Sequence, residues 1–234
     1  MSDGAEAGHC PAYGERLRLD ELLEVARVHE TPERALFFGA HQACEIWFAI
    51  VLRHLEAARR ALTEGQGAEA CAHLDRLPRI MAAVAQHFDA LHALTPDEFD
   101  VVRATLGTSS GFQSVQFREI EFLCGARDRR MLNIAGLTDH DRARLLARLD
   151  EQSLDAAFGA YRDRAGEDVK RIHDAMAAFD AAMRSCRGRH AALAEALLGG
   201  VVGTAGSSGA AYLWRSMERT LFPELTQGVR SDDC

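Results

Sequence analysis

The chain has 234 residues, 47% of them hydrophobic and 26% charged, with a formal net charge of -8. That length supports one domain with a substantial core, and the composition is that of an ordinary globular protein. The acidic balance and the lack of a polybasic segment argue against nucleic acid and against an anionic membrane surface as partners.

The N-terminal run MSDGAEAGHCPAYGE is acidic and polar, unlike a signal or transit peptide, and residues 1–16 read as an extended arm. Leu19, Leu22, Leu23 and Ala26 carry helical spacing up to Val28. Thr31-Pro32-Glu33-Arg34 then starts the longest predicted helix, with Thr as cap and Pro in the first turn. Its apolar positions Leu36, Phe37, Ala40, Cys44, Trp47, Phe48, Val51 and Leu55 recur at steps of three and four as far as Leu62. Glu69 to Leu94 reads as helix split or kinked at Pro78. Thr95 and Glu98 form a capping box before another helix. Residues 107–111, GTSSG, mark a turn, and Phe112 to Cys124 is helical again. Further helices are expected over Asp139–Leu149, Asp155–Arg164, Glu167–Met183, Arg189–Leu198 and Ser208–Leu221. Strand signals are nearly missing, and no apolar stretch reads as the ~20 residues that cross a bilayer. The expectation is an all-α, single-domain bundle of eight to ten helices spanning residues 1–234.

Six scattered cysteines without a CxxC pair argue against a zinc ribbon or a disulfide framework and fit a cytoplasmic protein. His41 lies on the apolar face of the long helix, with Phe37 one turn before it and Glu45 one turn after. It reads either as a core histidine partnered by Glu45 or as a hydrogen-bonding group facing a cavity. His190 shares a face with Leu193, Ala194, Leu197 and Val201. It is either a core residue or the single neutral imidazole, among small neighbours, that a heme iron needs. The run GTAGSSG, residues 203–209, has no lysine after its last glycine and so is no P-loop. It is either a connector or a set of backbone N–H groups, with the Thr204 hydroxyl, for the polar end of a ligand. Arg118 sits among Phe112, Val115 and Phe122, beside Glu119 and Glu121. It either pairs with those glutamates or grips a carboxylate with its guanidinium fork. His87 and His92 are five apart, off one helical face, and do not suggest a metal site.

The order of these segments carries more than any one of them. YGERLRLDELL, HQACEIWF, SSGFQSVQFREIEFL, RH followed by GTAGSSG, and LFPEL resemble the tryptophan 2,3-dioxygenase family from Tyr13 to about Arg230. The resemblance implies an all-α bundle enclosing a b-type heme, active as Fe2+, with L-tryptophan or a close derivative and O2 as substrates. It implies His190 as the proximal iron ligand and His41 as the distal group that hydrogen-bonds the indole N–H. Phe37 would line the indole pocket and Arg118 would hold the substrate carboxylate. Thr204, with Gly203 and Ser207 in the glycine loop, would meet the amino-acid end, and Tyr13 would reach the pocket of a neighbouring subunit in a homo-oligomer, a dimer or tetramer. The implied reaction opens the indole at C2–C3 to give N-formylkynurenine.

Three departures from the family pattern stand out. Ala205 replaces the middle glycine of the usual GTGGSSG, Arg16 stands where a second tyrosine is common, and the interval 126–188 is short. They leave room for other outcomes: single oxygenation of tryptophan or a β-substituted tryptophan to a 2-oxindole, a tyrosine hydroxylase of the same superfamily, or a heme sensor without turnover.

Overall fold

A computed structural model describes residues 12–164, 168–199 and 209–227. Among these residues there are twelve α-helices and no strand. Two short ones open the chain, α1 (Tyr13–Leu17) and α2 (Leu19–Val25), followed by the 32-residue α3 (Pro32–Thr63). Next come α4 (Gly67–Leu74), α5 (Leu77–Leu91), α6 (Pro96–Arg103), α7 (Val115–Cys124), α8 (Asp139–Asp150) and α9 (Leu154–Arg162). The 30-residue α10 (Val169–Leu198), α11 (Ala210–Ser216) and α12 (Pro223–Gln227) complete the set.

The two long helices organise the rest. α4 and α5 pack against both α3 and α10, while α7 and α9 pack on α3, and α11 packs on α10. By length and composition α3 could span a bilayer, contrary to the sequence expectation. Here its apolar side supplies the bundle core instead, with Val51, Leu55, Ala58 and Leu62 shielded from solvent. A smaller core of Phe122, Met131, Ile134, Leu137, Leu145 and Leu149 lies between α7 and α8.

Several expected boundaries move, each for a local reason. Pro78 separates α4 from α5 by sitting in the first turn of α5, where its missing N–H has no partner to lose. Thr95 and Glu98 form the expected reciprocal cap of α6. α7 starts at Val115 because the Ser114 side chain accepts the Phe117 N–H. The first helix expected over 19–28 ends at Val25, and the end of the arm expected over 1–16 is helical from Tyr13, in α1.

The largest difference is α10, one helix where two were expected with a break near Gly188. That glycine is not a breaker. A Cβ on it would press against the Met217 thioether, so its absence lets the C-terminal segment cross α10 closely. The helix expected over 208–221 stops at Ser216 for a complementary reason. Asp180 of α10 accepts the Leu221 N–H at 2.7 Å and the Thr220 hydroxyl at 3.3 Å, and Pro223 follows. Leu221 and Phe222 are then fully buried, with Phe222 against Phe179.

Asp155 of α9 holds the next turn, accepting the Glu224 N–H at 2.7 Å. Burial raises its carboxyl to about 6, with Glu224 adding to the rise against the backbone N–H groups. The folded chain thus keeps this proton up to about pH 6, whereas an unfolded aspartate loses it near 3.8, so this group's contribution to stability falls as pH rises through that window. Asp155→Asn removes the titration. Urea unfolding from pH 4 to 7 should show the variant gaining up to about 3 kcal/mol relative to the wild type; parallel profiles would mean that Asp155 ionises like a surface carboxylate.

Candidate functional site

Where α3 and α10 face each other beside α5, α7 and α11, two cavities of about 870 and 820 Å3, each including its mouth, meet. Both are walled by His41, Phe112, His190, Tyr212 and Leu213. The first continues past Phe48, Phe88 and Phe117 to Arg118, Glu121 and Arg187. The second runs along Phe37, Phe99, Leu193, Ala194 and Leu197. Residues of α3, α5, α6, α7, α10 and α11 therefore converge on one largely apolar space with a charged end.

His41 comes from the third turn of α3, on the same side as Phe37. Its Nδ1 lies 2.7 Å from the Phe37 carbonyl oxygen. A carbonyl only accepts, so Nδ1 carries the proton and Nε2 is left as a lone-pair acceptor in the neutral ring. Burial lowers the histidine's pKa, opposed by the Phe37 carbonyl and by the Glu45 charge. The sequence expectation of Glu45 as direct partner is corrected here. Glu45 instead accepts the Gln116 amide at 2.8 Å, and the same amide also donates to the Glu45 carbonyl at 2.9 Å, tying α7 to α3. The Phe37 ring lies 4.3 Å from the imidazole and 5.8 Å from Phe99, forming an aromatic wall.

His190 comes from the last third of α10. Its ring stacks on Phe88 of α5, with centroids 4.7 Å apart and planes 15° apart. Burial pushes its pKa down to about 4, and His41 nearby adds to the shift, so the imidazole is neutral at physiological pH. Among the described residues no hydrogen bond to its ring is recorded. A neutral imidazole, flanked by Ala194 and Leu193 on its own helix and open to a largely apolar cavity, fits a ligand to heme iron. The donor set does not suit a bare metal ion, since no cluster of three or more His, Cys, Asp or Glu residues occurs among the described residues.

The charged end is built on α7 and α10. Arg118 is 6% exposed and donates to Glu121 at 2.5 Å through Nη1. Its guanidinium also lies over the Phe112 ring at 5.0 Å and the Phe117 ring at 5.2 Å. Glu119, the other candidate partner from sequence, points away and pairs with Arg144 at 2.5 Å. Arg187 donates to the second Glu121 oxygen at 2.8 Å and to the Arg219 carbonyl at 2.7 Å. Among the described residues, the Nε–H groups of Arg118 and Arg187 are buried without a partner. Two buried donors and one carboxylate shared by two guanidinium groups leave this end short of one negative charge, a deficit of the kind a carboxylate can meet.

The structure thus brings together Phe37, His41, Arg118 and His190. It does not bring Tyr13 there: that side chain is 76% exposed on α1 and belongs to neither cavity wall. Gly203, Thr204 and Ser207 lie outside the described residues, although Leu198 and Gly209, on either side of that stretch, both wall the second cavity. Phe88, Gln116, Arg187 and Tyr212 were not singled out from sequence. The FQSVQFR segment carried a signal for Gln116, and the Arg-Gly-Arg-His run one for Arg187, but nothing in the Phe88 surroundings distinguished it from core.

The family model for tryptophan 2,3-dioxygenase matches residues 2–155, which includes His41 and Arg118. Curated relatives carry the match through the C-terminal half. A tryptophan 2,3-dioxygenase of Nocardioides sp. is 34% identical, covering 99% of this chain and 100% of the relative. One of Bacillus cereus is 32% identical, covering 91% and 90%. One of Anaeromyxobacter sp. is 31% identical, covering 96% and 97%. The Nocardioides alignment runs to 267 positions against 234 residues, so this chain carries gaps relative to it.

The His41 assignment is testable in the heme-free protein. Nitrogen-15 NMR at pH 7 should show the Nδ1–H tautomer, with a protonation midpoint below 6.5. Because the folded ring resists the proton that an unfolded histidine accepts, this group makes folding less favourable as pH falls through 6.5. A midpoint above 6.5 would mean that Glu45, not burial, governs the ring.

Proposed function

Because the chain belongs to the tryptophan 2,3-dioxygenase family, we propose that it is a heme-dependent oxygenase that opens the indole ring of L-tryptophan to N-formylkynurenine. The observation that carries this reading is the pair of neutral imidazoles from α3 and α10 on one apolar cavity with a buried guanidinium at its polar end. Both atoms of O2 enter the product across C2–C3, so the reaction balances without an external reductant. The relatives share the dioxygenase name, which favours ring opening over the 2-oxindole, tyrosine-hydroxylating and sensor alternatives.

His190 is the residue to hold the heme, a b-type group in its ferrous form. When bound, heme supplies the activation of O2. The chain's own residues do the rest by orientation and exclusion of water. His41 Nε2, made an acceptor by the Phe37 carbonyl on the other nitrogen, receives the indole N–H and steadies charge that develops on the indole nitrogen. A strong base is not required for that role, which suits a histidine whose pKa burial keeps low. Phe37 and Phe99 offer a flat wall to the indole. Arg118, still holding a buried unpartnered Nε–H, takes the substrate carboxylate.

Gly203, Thr204 and Ser207 are assigned to the amino-acid end on the family pattern, with Ala205 as the departure. The assembly is a homo-oligomer, a dimer or tetramer, in which Tyr13 reaches a neighbouring subunit's pocket. Support comes from α1 and α2, which bury no residue and leave Leu17, Leu22, Leu23, Val25 and Val28 exposed. The unpaired thiols of Cys44, Cys71, Cys124 and Cys186 support a cytoplasmic location.

The test is product mass with labelled O2, using heme-loaded, reduced protein and L-tryptophan. Two labelled oxygens in N-formylkynurenine are expected; one labelled oxygen in a 2-oxindole, or no product, would overturn the reading. His190→Ala should fail to retain heme through gel filtration, whereas Arg118→Ala should retain it and bind L-tryptophan at least about tenfold more weakly.

A further inference from the structure

Arg118 is expected to hold a carboxylate, yet Glu121 already occupies one of its nitrogens at 2.5 Å. A buried carboxylate beside a lone arginine would neutralise it and compete with any anionic ligand. What prevents this is on the opposite wall. Arg187, three residues before His190 on α10, is 6% exposed and binds the other Glu121 oxygen at 2.8 Å. Both guanidinium groups also lie against the Phe117 ring, at 5.2 and 5.6 Å, and Glu121 is the carboxylate they share among the described residues.

The charges near this cluster confirm its balance. Asp180, on α10, also acts on Arg187, but its charge is paired with Arg184 at 3.3 Å and its oxygens also accept from Leu221 and Thr220. Arg219, on the C-terminal wall, is turned toward Asp128 at 3.7 Å. Glu45, across the first cavity, is bonded to Gln116. One surplus positive charge therefore stays with the two arginines, and each keeps a buried Nε–H without a partner.

We infer that Arg187 is the positioning residue of the carboxylate site: by sharing Glu121, it leaves Arg118 with the charge and the free donor that a monoanionic amino-acid substrate needs. This rests on the proposed function and assigns to Arg187 a role exerted through Glu121. Arg187 also holds the Arg219 carbonyl, so a simple structural role has to be separated from it.

The experiment uses heme-loaded protein and two probes, L-tryptophan and tryptamine, which has the same indole but no carboxylate. Binding is followed by the heme difference spectrum and by calorimetry. Arg187→Met lets Glu121 neutralise Arg118, and L-tryptophan affinity should fall about tenfold while tryptamine affinity stays within about twofold. Adding Glu121→Gln removes the competing anion, and the double variant should recover L-tryptophan affinity to within about threefold of the wild type. The double variant also buries no unpaired carboxylate, so it keeps the test sound if the single variant does not fold.

If Arg187 only held the C-terminal wall, both probes would weaken together and the double variant would not recover; either result overturns the inference. So does unchanged L-tryptophan binding in Arg187→Met. Failure of the wild type itself to bind L-tryptophan while carrying heme would instead overturn the proposed function, and this inference with it.

Discussion

Glu121 has almost no water around it and two guanidinium groups within hydrogen-bond reach. A buried carboxylate with one partner is expensive, and so is a buried arginine with none. The shared arrangement fixes α7 against α10 and anchors the C-terminal wall through the Ser216 and Arg219 carbonyls that Arg187 also binds. Remove that constraint and three walls of the cavity lose their common reference: the helix bearing Arg118, the helix bearing His190, and the segment bearing Tyr212.

The cavity stays open because the elements around it meet elsewhere. α5 packs on both long helices and places Phe88 beneath His190, while Gln116 clamps α7 to α3 through Glu45. Below this level the packing is dense, with Val51, Leu55, Leu62, Leu74 and Met81 shielded from solvent. Above it the walls carry alanine on α10 and rings that meet edge-on, as Phe112 and Tyr212 do at 89°. Large side chains thus make the core on one part of each long helix, and small or aromatic ones make the site on another. The C-terminal strap closes the arrangement by giving Asp180 and Asp155 backbone N–H groups in place of water.

Much of this was legible in the sequence, and the limits have physical causes. Helical periodicity places α3 within one residue of its ends because a 3.6-residue repeat sustained for thirty residues has one interpretation. The cap at Thr95 is local chemistry and needs no tertiary information. Gly188 misleads because its reason is a long-range neighbour, Met217, which local sequence does not show. Arg118 was legible as a candidate, yet its partner was one of two adjacent glutamates, and only the helix phase between α8 and α10 decides for Glu121. The Arg-Gly-Arg-His run marks Arg187, but its partner is not legible there because that carboxylate lies sixty-six residues away. The family resemblance supplied roles for single residues; the three-dimensional arrangement supplies the charge relation between them.

The two histidines show how one residue type is divided into two tasks by what meets the ring. Both are made neutral by burial, so charge does not distinguish them. His41 has Nδ1 tied to a carbonyl of its own helix, which fixes the proton there and leaves Nε2 as an acceptor toward the cavity. His190 is held instead by a stacked ring from another helix, and stacking orients the plane without dictating which nitrogen carries the proton. The first arrangement suits recognition of an N–H donor, which needs a fixed tautomer. The second fixes the ring plane and leaves a nitrogen free for a metal, with stacking rather than a hydrogen bond among the described residues orienting the ring. Exchanging the two environments would put an undefined tautomer beside the substrate, while the carbonyl of the histidine's own helix would still leave a nitrogen free for the iron. Under the proposed function, the placement of the two rings, on α3 beside Phe37 and on α10 above Phe88, is what fits each imidazole to its role.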